Sequence, residues 1–434
     1  MSEPASVRPW YTLIGPGLIT ACVVIGPGSI VTSSKVGAAN NFSMLWVIAV
    51  SVAFMMVYMV LGAKLGAVAV DGPGDLIRQK AGRWLSVMVG ICVFFISAAF
   101  QSGNNVGVAS AFEAFVDSPG MVAALVVGFN VIGISFLFVF KNLYKVIERL
   151  MMVLVAVMLI SFAVNLASLK PDVAAMAKGF IPSAGTVDLA VLGLVGTTFV
   201  ITAAFYQAYL VRQKGWTVNE LSQGIMDARI GSVIMAVITI MLMSTAAAGF
   251  NGKPGGAELS NPVAIAEALK GTFGSSAKVI FCLGLFSAAY SSFLVNSMIG
   301  GFIAADGFGL GNKPTDVWPR IMTTAVLLTG MTIALAAMVL GFDRTPTLIA
   351  AQAVTVVGAP LVAAVLLWLT SRKDIMGEHA NSPATNLFAG VGLLLLLAIA
   401  CNTAFVKLPK MIDDYRNPPT ENAASADGQS REDK

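Results

Sequence analysis

The stretch Gly26-Pro27-Gly28-Ser29 places two glycines and a proline inside an apolar run, and Lys35 follows six residues later. Proline removes an i→i−4 hydrogen bond, and the flanking glycines release the backbone from helical geometry. The chemistry open to such a break is binding. Freed carbonyls coordinate cations, whereas the helix that restarts near Ser29 presents N–H groups and partial positive charge to an anion or a carboxylate. No acidic residue stands at the break to favour a cation. Lys35 lies about 9 Å farther along a helix at 1.5 Å per residue. Facing a vestibule it attracts anions; the alternative is a lysine snorkelling to an interface. The break itself reads either as a simple proline kink or as a discontinuous helix whose open ends form a site.

Polar residues recur in other apolar runs. Gln101, Ser102, Asn104 and Asn105 form a dense cluster, read as satisfied groups between helices or as contacts to a substrate or a water path. Thr198, Thr202, Tyr206 and Gln207 lie in one run, Ser291 and Ser292 in another, and Gln352 in a third. The paired serines, with carbonyls of the Gly26 break, are candidates for coordinating Na⁺; packing by small residues is the other reading. Cys22, Cys92, Cys282 and Cys401 are far apart and have no metal or disulfide spacing. His379, the single histidine, falls in a loop, where a solvated role is expected. No metal-ligand set, catalytic constellation or cofactor motif is found, so the chain reads as a non-enzyme.

Such residues need elements to hold them, and composition says which. The chain has 434 residues, 57% hydrophobic and 12% charged, with a mean hydropathy of +0.82. A soluble protein requires more polar surface than this. Apolar runs long enough to cross about 30 Å of hydrocarbon recur at 11–38, 43–69, 84–115, 121–142, 148–168, 188–212, 223–249, 276–298, 319–341, 347–370 and 384–407. An all-α protein of about eleven spans is predicted, in contact with the lipid bilayer. Residues 1–10 form a short N-terminal segment, 11–407 one membrane domain, and 408–434 a tail of disordered composition. Lysine and arginine concentrate in one set of loops, which places the N-terminus in the cytoplasm of an inner-membrane, multi-pass protein. The net charge of +4 is too small and too spread to suggest nucleic acid.

Three stretches resemble the NRAMP family of divalent-metal transporters. GPGLITACVVIGPGSIVTSSKVGAANNFSMLWVI is similar to the family's first-helix region, whose signature is Asp-Pro-Gly-Asn. GLFSAAYSSFLVNSMIGGFIAADGF matches its small residues, paired serines and closing Asp-Gly-Phe, and MGEHANSPATNLFAG resembles the segment before its eleventh span. The resemblance implies a LeuT-like fold, with inverted repeats at spans 1–5 and 6–10 and discontinuous helices 1 and 6. It also shows what is missing. The family's metal-binding Asp and Asn fall on Gly26 and Ser29, and its Met-Pro-His run falls on Val200, Ile201 and Thr202. An acidic pair tied to proton movement falls on Gln101 and Asn104.

Transition metals need carboxylate, imidazole or thiolate ligands to replace their water. A secondary transporter of a small anionic or zwitterionic organic solute is therefore expected. Gly26, Gly28, Ser29, Lys35, Gln101, Asn104, Thr198, Thr202, Tyr206 and Gln207 would line its site. Ser291, Ser292 and Gln352 are accessory, and Na⁺ or H⁺ is the candidate coupling ion. The alternatives are a divalent-cation transporter for a hydrated ion such as Mg²⁺, or for Mn²⁺ or Fe²⁺ by family, and a non-transporting sensor.

Overall fold

The computed structural model describes residues 15–140, 142–183, 189–252, 262–340, 344–407 and 409. The predicted N-terminal segment and almost all of the predicted tail lie outside the described residues. All regular structure among the described residues is helical. Sides of the bundle are named inner and outer by the loop-charge asymmetry.

Helices α1 (Pro16–Val24) and α2 (Pro27–Asn40) form the first span, followed by α3 (Leu45–Val68), the short α4 (Pro73–Ala81) and α5 (Arg83–Glu113). Then come α6 (Pro119–Val139), α7 (Leu143–Ser168) and the short α8 (Val173–Lys178). The second half repeats the plan with α9 (Leu189–Thr198), α10 (Ile201–Lys214), α11 (Leu221–Phe250) and the connecting α12 (Pro262–Phe273). It closes with α13 (Ser275–Phe308), α14 (Val317–Val339), α15 (Arg344–Ser371), α16 (Lys373–Met376) and α17 (Pro383–Asn402).

Among the described residues, nine helical segments are long and apolar enough to span a membrane, and α1 with α2, bent by 59°, makes a tenth. Helix α15, 28 residues long, takes the place of the remaining predicted span. Interruptions fall in the first and sixth spans, five apart, as inverted repeats require. The architecture is thus the LeuT-like one expected.

One predicted boundary is wrong. The eighth span does not stop near residue 298; α13 runs 34 residues to Phe308. It ends where Gly309 takes a left-handed φ of 78° and Leu310 N–H bonds back to Ala305 O at 2.9 Å, a glycine C-cap. Apolarity fades earlier than the helix does. At the inner surface Lys80 bonds Asp374 at 2.8 Å. Hydrogen bonds from Arg372 and Lys80 hold the Asp374 carboxyl well below the usual carboxylate range.

Candidate functional site

The first span is cut rather than kinked. Ile25 (φ −93°, ψ 77°) and Gly26 (φ −110°, ψ 180°) leave the helix, and Pro27 begins the next one. Gly26 is there for space, since its extended backbone suits any residue. A Cβ on it would lie 3.2 Å from Ser292 Oγ and 3.3 Å from Asn104 Oδ1. The carbonyls released by the cut are partly taken up by hydroxyls. Ser29 Oγ donates to Val24 O, and Ser292 Oγ donates to Val23 O at 3.1 Å.

The sixth span is cut at Phe199 and Val200, between α9 and α10. No proline marks it. Val200 (φ −84°, ψ 87°) turns the chain, and the two interrupted spans meet through hydroxyls. Thr32 Oγ1 and Thr197 Oγ1 are 3.1 Å apart, and Thr197 O lies 3.4 Å from Ser29 Oγ. Thr198 Oγ1 is buried there without a hydrogen-bond partner.

An uncharged amide network backs the break. Asn104 Nδ2 donates to Gln101 Oε1 at 3.3 Å, which also accepts from Asn296 Nδ2 at 3.4 Å. Asn105 Nδ2 bonds Gln101 O at 2.9 Å, and Asn130 Nδ2 bonds Asn105 Oδ1 at 2.7 Å. Asn104 Oδ1 and Gln101 Nε2 remain buried without partners. Such groups cost about 1–3 kcal/mol each unless a ligand or water meets them. The break therefore gathers neutral oxygens, from Asn104, Ser292, Ser29 and the Val23 and Val24 carbonyls. Hard cations with retained water suit that set.

Of the predicted residues, the structure brings Gly26, Ser29, Asn104 and Ser292 together, with Gln101 hydrogen-bonded to Asn104. Gly28 sits in the first turn of α2, where its carbonyl accepts from Thr32 Oγ1 at 2.9 Å. Several predicted residues go elsewhere. Thr202 lines a cavity at the sixth-span cut, with Phe199 and Val200 and with Thr355, Ala359, Leu396 and Ile399 of α15 and α17. Tyr206 stacks on Tyr209 at 5.7 Å and meets Phe302 edge-on at 6.0 Å, in the inner half. Gln207 is hydrogen-bonded to Thr20 of α1, two turns inward of the cut. Ser291 Oγ bonds Ala288 O within its own helix at 3.1 Å. Lys35 is half-buried on α2. The Gln352 side chain lies outside the described residues.

Two buried carboxylates near helix ends were not among the predicted site residues. Asp227 and Asp306 are each 1% exposed. Asp227 accepts from Gly15 N at 2.8 Å and Gly17 N at 2.6 Å. Asp306 accepts from Gly74 N at 2.8 Å and Tyr209 Oη–H at 2.7 Å. A signal existed for the first: Gly224, Asp227 and Gly231 share one stripe of α11, and small residues at that spacing mark close helix approach. Neither acid reaches the break.

A family model described as "Natural resistance-associated macrophage protein-like" matches residues 17–406. The divalent metal cation transporter MntH of Deinococcus radiodurans is 26% identical, covering 91% of this chain and 90% of its own length. MntH of Yersinia enterocolitica is 25% identical over 89% of this chain and 93% of its own. Among solved structures, a mutant of the Eremococcus coleocola manganese transporter aligns with a TM-score of 0.78 at 20% identity, over 99% and 93% of the two chains. Mhp1, a nucleobase-cation-symport-1 family transporter, aligns at 0.53 and 12% identity over 90% and 92%.

Proposed function

The chain belongs to the Nramp family, and from that premise we propose that it carries a divalent cation that keeps part of its water shell, Mg²⁺ ahead of Mn²⁺. The observation behind this reading is the cluster of neutral oxygens at the Gly26 break. Among the described residues there is no group of three or more His, Cys, Asp or Glu able to hold a metal ion. Mn²⁺ and Fe²⁺ gain from carboxylate, imidazole or sulfur ligands. Mg²⁺ takes oxygen, dehydrates reluctantly and keeps several waters. Asn104 Oδ1 has the free lone pairs to meet such an ion or its water.

The organic-solute reading loses ground on two counts. Its relatives are divalent-cation transporters by name, and the break is walled closely by Asn104, Ser292 and Phe100. The protein is a multi-pass membrane transporter. An inner-membrane location with a cytoplasmic N-terminus follows the loop charges and belongs to the proposal. So does transport without stoichiometric proton flux, because amides and hydroxyls, which do not titrate, surround the break.

Proteoliposome uptake tests this directly, with Mg²⁺, Mn²⁺ and a panel of organic acids outside and a pH-sensitive dye inside. Saturable Mg²⁺ entry, weaker Mn²⁺ entry and no dye response are expected. Saturable entry of an organic acid, with none of either cation, overturns the proposal.

Lys35 opposes a cation, and its removal reads out that opposition. Lys35→Gln is expected to raise cation uptake roughly two- to fivefold at low ionic strength, fading as salt screens the charge. Uptake measured across a salt series checks it.

A further inference from the structure

We propose that the Asp227 carboxylate is an acid-sensitive latch that holds α1 shut across the inner mouth of the transporter. Helix α1 is nine residues long, buried throughout, and cut from α2 at its outer end. Such a segment moves as a unit only if its inner end is released. That end is held by two charge-assisted hydrogen bonds from Gly15 N–H and Gly17 N–H to the two oxygens of Asp227. Gly15 is the N-cap of α1 and Gly17 lies in its first turn, where partial positive charge favours an anion.

The contact is close as well as charged. A Cβ at Gly17 would strike the Asp227 backbone, and one at Gly231 would strike Gly17 O. Gln207 of α10 adds a second tie. With its amide oriented to satisfy both ends, nitrogen donates to Pro16 O at 3.0 Å and oxygen accepts from Gly17 N at 3.2 Å.

Protonation breaks this arrangement for a geometric reason. Each carboxylate oxygen already faces an N–H donor, so a carboxyl O–H would turn one of these acceptors into a competing donor, and the charge assistance of both bonds would be lost. The charged and titratable neighbours are few. Lys214 of α10 and Tyr144 of α7 act on Asp227 electrostatically. Glu148 of α7 pairs with Lys214 at 2.9 Å and accepts from Tyr144 at 3.1 Å. Helix α1 faces Asp227 with backbone amides. From α3, Tyr58 and Lys64 turn to Ala389 and Asn381 instead. Tyr209 and Arg212 of α10 bond Asp306 and the end of α3. Acid on the inner side thus frees α1 and opens the path from the break inward.

Native Cys22 reports the motion, since it lies on α1 and is fully buried. Cys92 and Cys401 are replaced by Ser, and Cys282, buried on α13, stays as a monitor of unfolding. The full chain in nanodiscs is treated with N-ethylmaleimide from about pH 8 to about pH 5, each rate referred to an unstructured peptide thiol at the same pH. Referred Cys22 reactivity is expected to rise about tenfold on acidification while Cys282 stays protected. Asp227→Asn is expected to react at the raised level throughout, with no pH dependence. Should Asp227→Asn also expose Cys282, the profile of the chain with native Asp227 decides alone. A flat profile there overturns the latch. The readout involves no substrate, so it fails or stands apart from the cation reading.

Discussion

Gly26→Asp is expected to raise Mn²⁺ affinity on the order of 100-fold, equivalent to about 2.7 kcal/mol. The backbone at Gly26 is extended, φ −110°, so an aspartate is accommodated without left-handed strain. Its Cβ would approach Ser292 Oγ and Asn104 Oδ1 to 3.2 and 3.3 Å, tight contacts that small side-chain shifts relieve. The carboxylate then joins the neutral oxygens around the break. Two unit charges 4 Å apart interact by about 4 kcal/mol at an effective dielectric near 20, and a divalent ion doubles that. Desolvation of the added carboxylate removes part of the gain. Without metal the variant should melt below the parent, since the new charge faces Asn104 Oδ1, an acceptor. Adding Mn²⁺ should reverse that order. Calorimetric titration and thermal unfolding with and without Mn²⁺ check both halves. Unchanged Mn²⁺ affinity in a folded Gly26→Asp variant would show that the break is not where the cation sits.

Much of the scaffold was legible because membrane spans announce themselves. Twenty-residue apolar runs have few alternatives in a bilayer, and Pro27 between two glycines marked the first cut. The cut at Phe199-Val200 left little trace, since its backbone turn rests on packing against α2 and α3 rather than on a proline. Side-chain direction was harder still. Gln207 and Tyr206 are one residue apart in α10, about 100° around the helix axis. One reaches α1 and the other stacks under Tyr209, a difference that apolarity alone cannot encode. The burial of the two acids was not legible for a related reason. Asp227 and Asp306 stand near the ends of long helices, where charge reads as solvated until partner backbones are seen to close over it.

Asp306 carries the largest stability effect to be expected in the inner half. Its carboxylate lies in the last turn of α13, where the helix dipole disfavours negative charge, so donors from elsewhere must hold it. Gly74 N–H, in the first turn of α4, supplies one at 2.8 Å, and there the dipole sign is favourable. Tyr209 of α10 donates at 2.7 Å and Asn312 at 3.3 Å. Arg78 lies 3.9 Å from the other oxygen and also donates to Asp306 O. Asp306→Ala removes the acceptor and strands these donors together, which costs about 3–5 kcal/mol for a buried charge network. Asp306→Asn keeps one acceptor oxygen and should lose about half as much. Tyr209→Phe alone should cost about 1–2 kcal/mol. Combined with Asp306→Ala it should add little, because its partner has already gone; the coupling in a double-mutant cycle should reach about 1 kcal/mol or more. Thermal unfolding of the four proteins in one detergent measures the cycle. A strictly additive result would mean that Tyr209 does not stabilise the chain through Asp306, and that α10 and α13 are joined by packing instead.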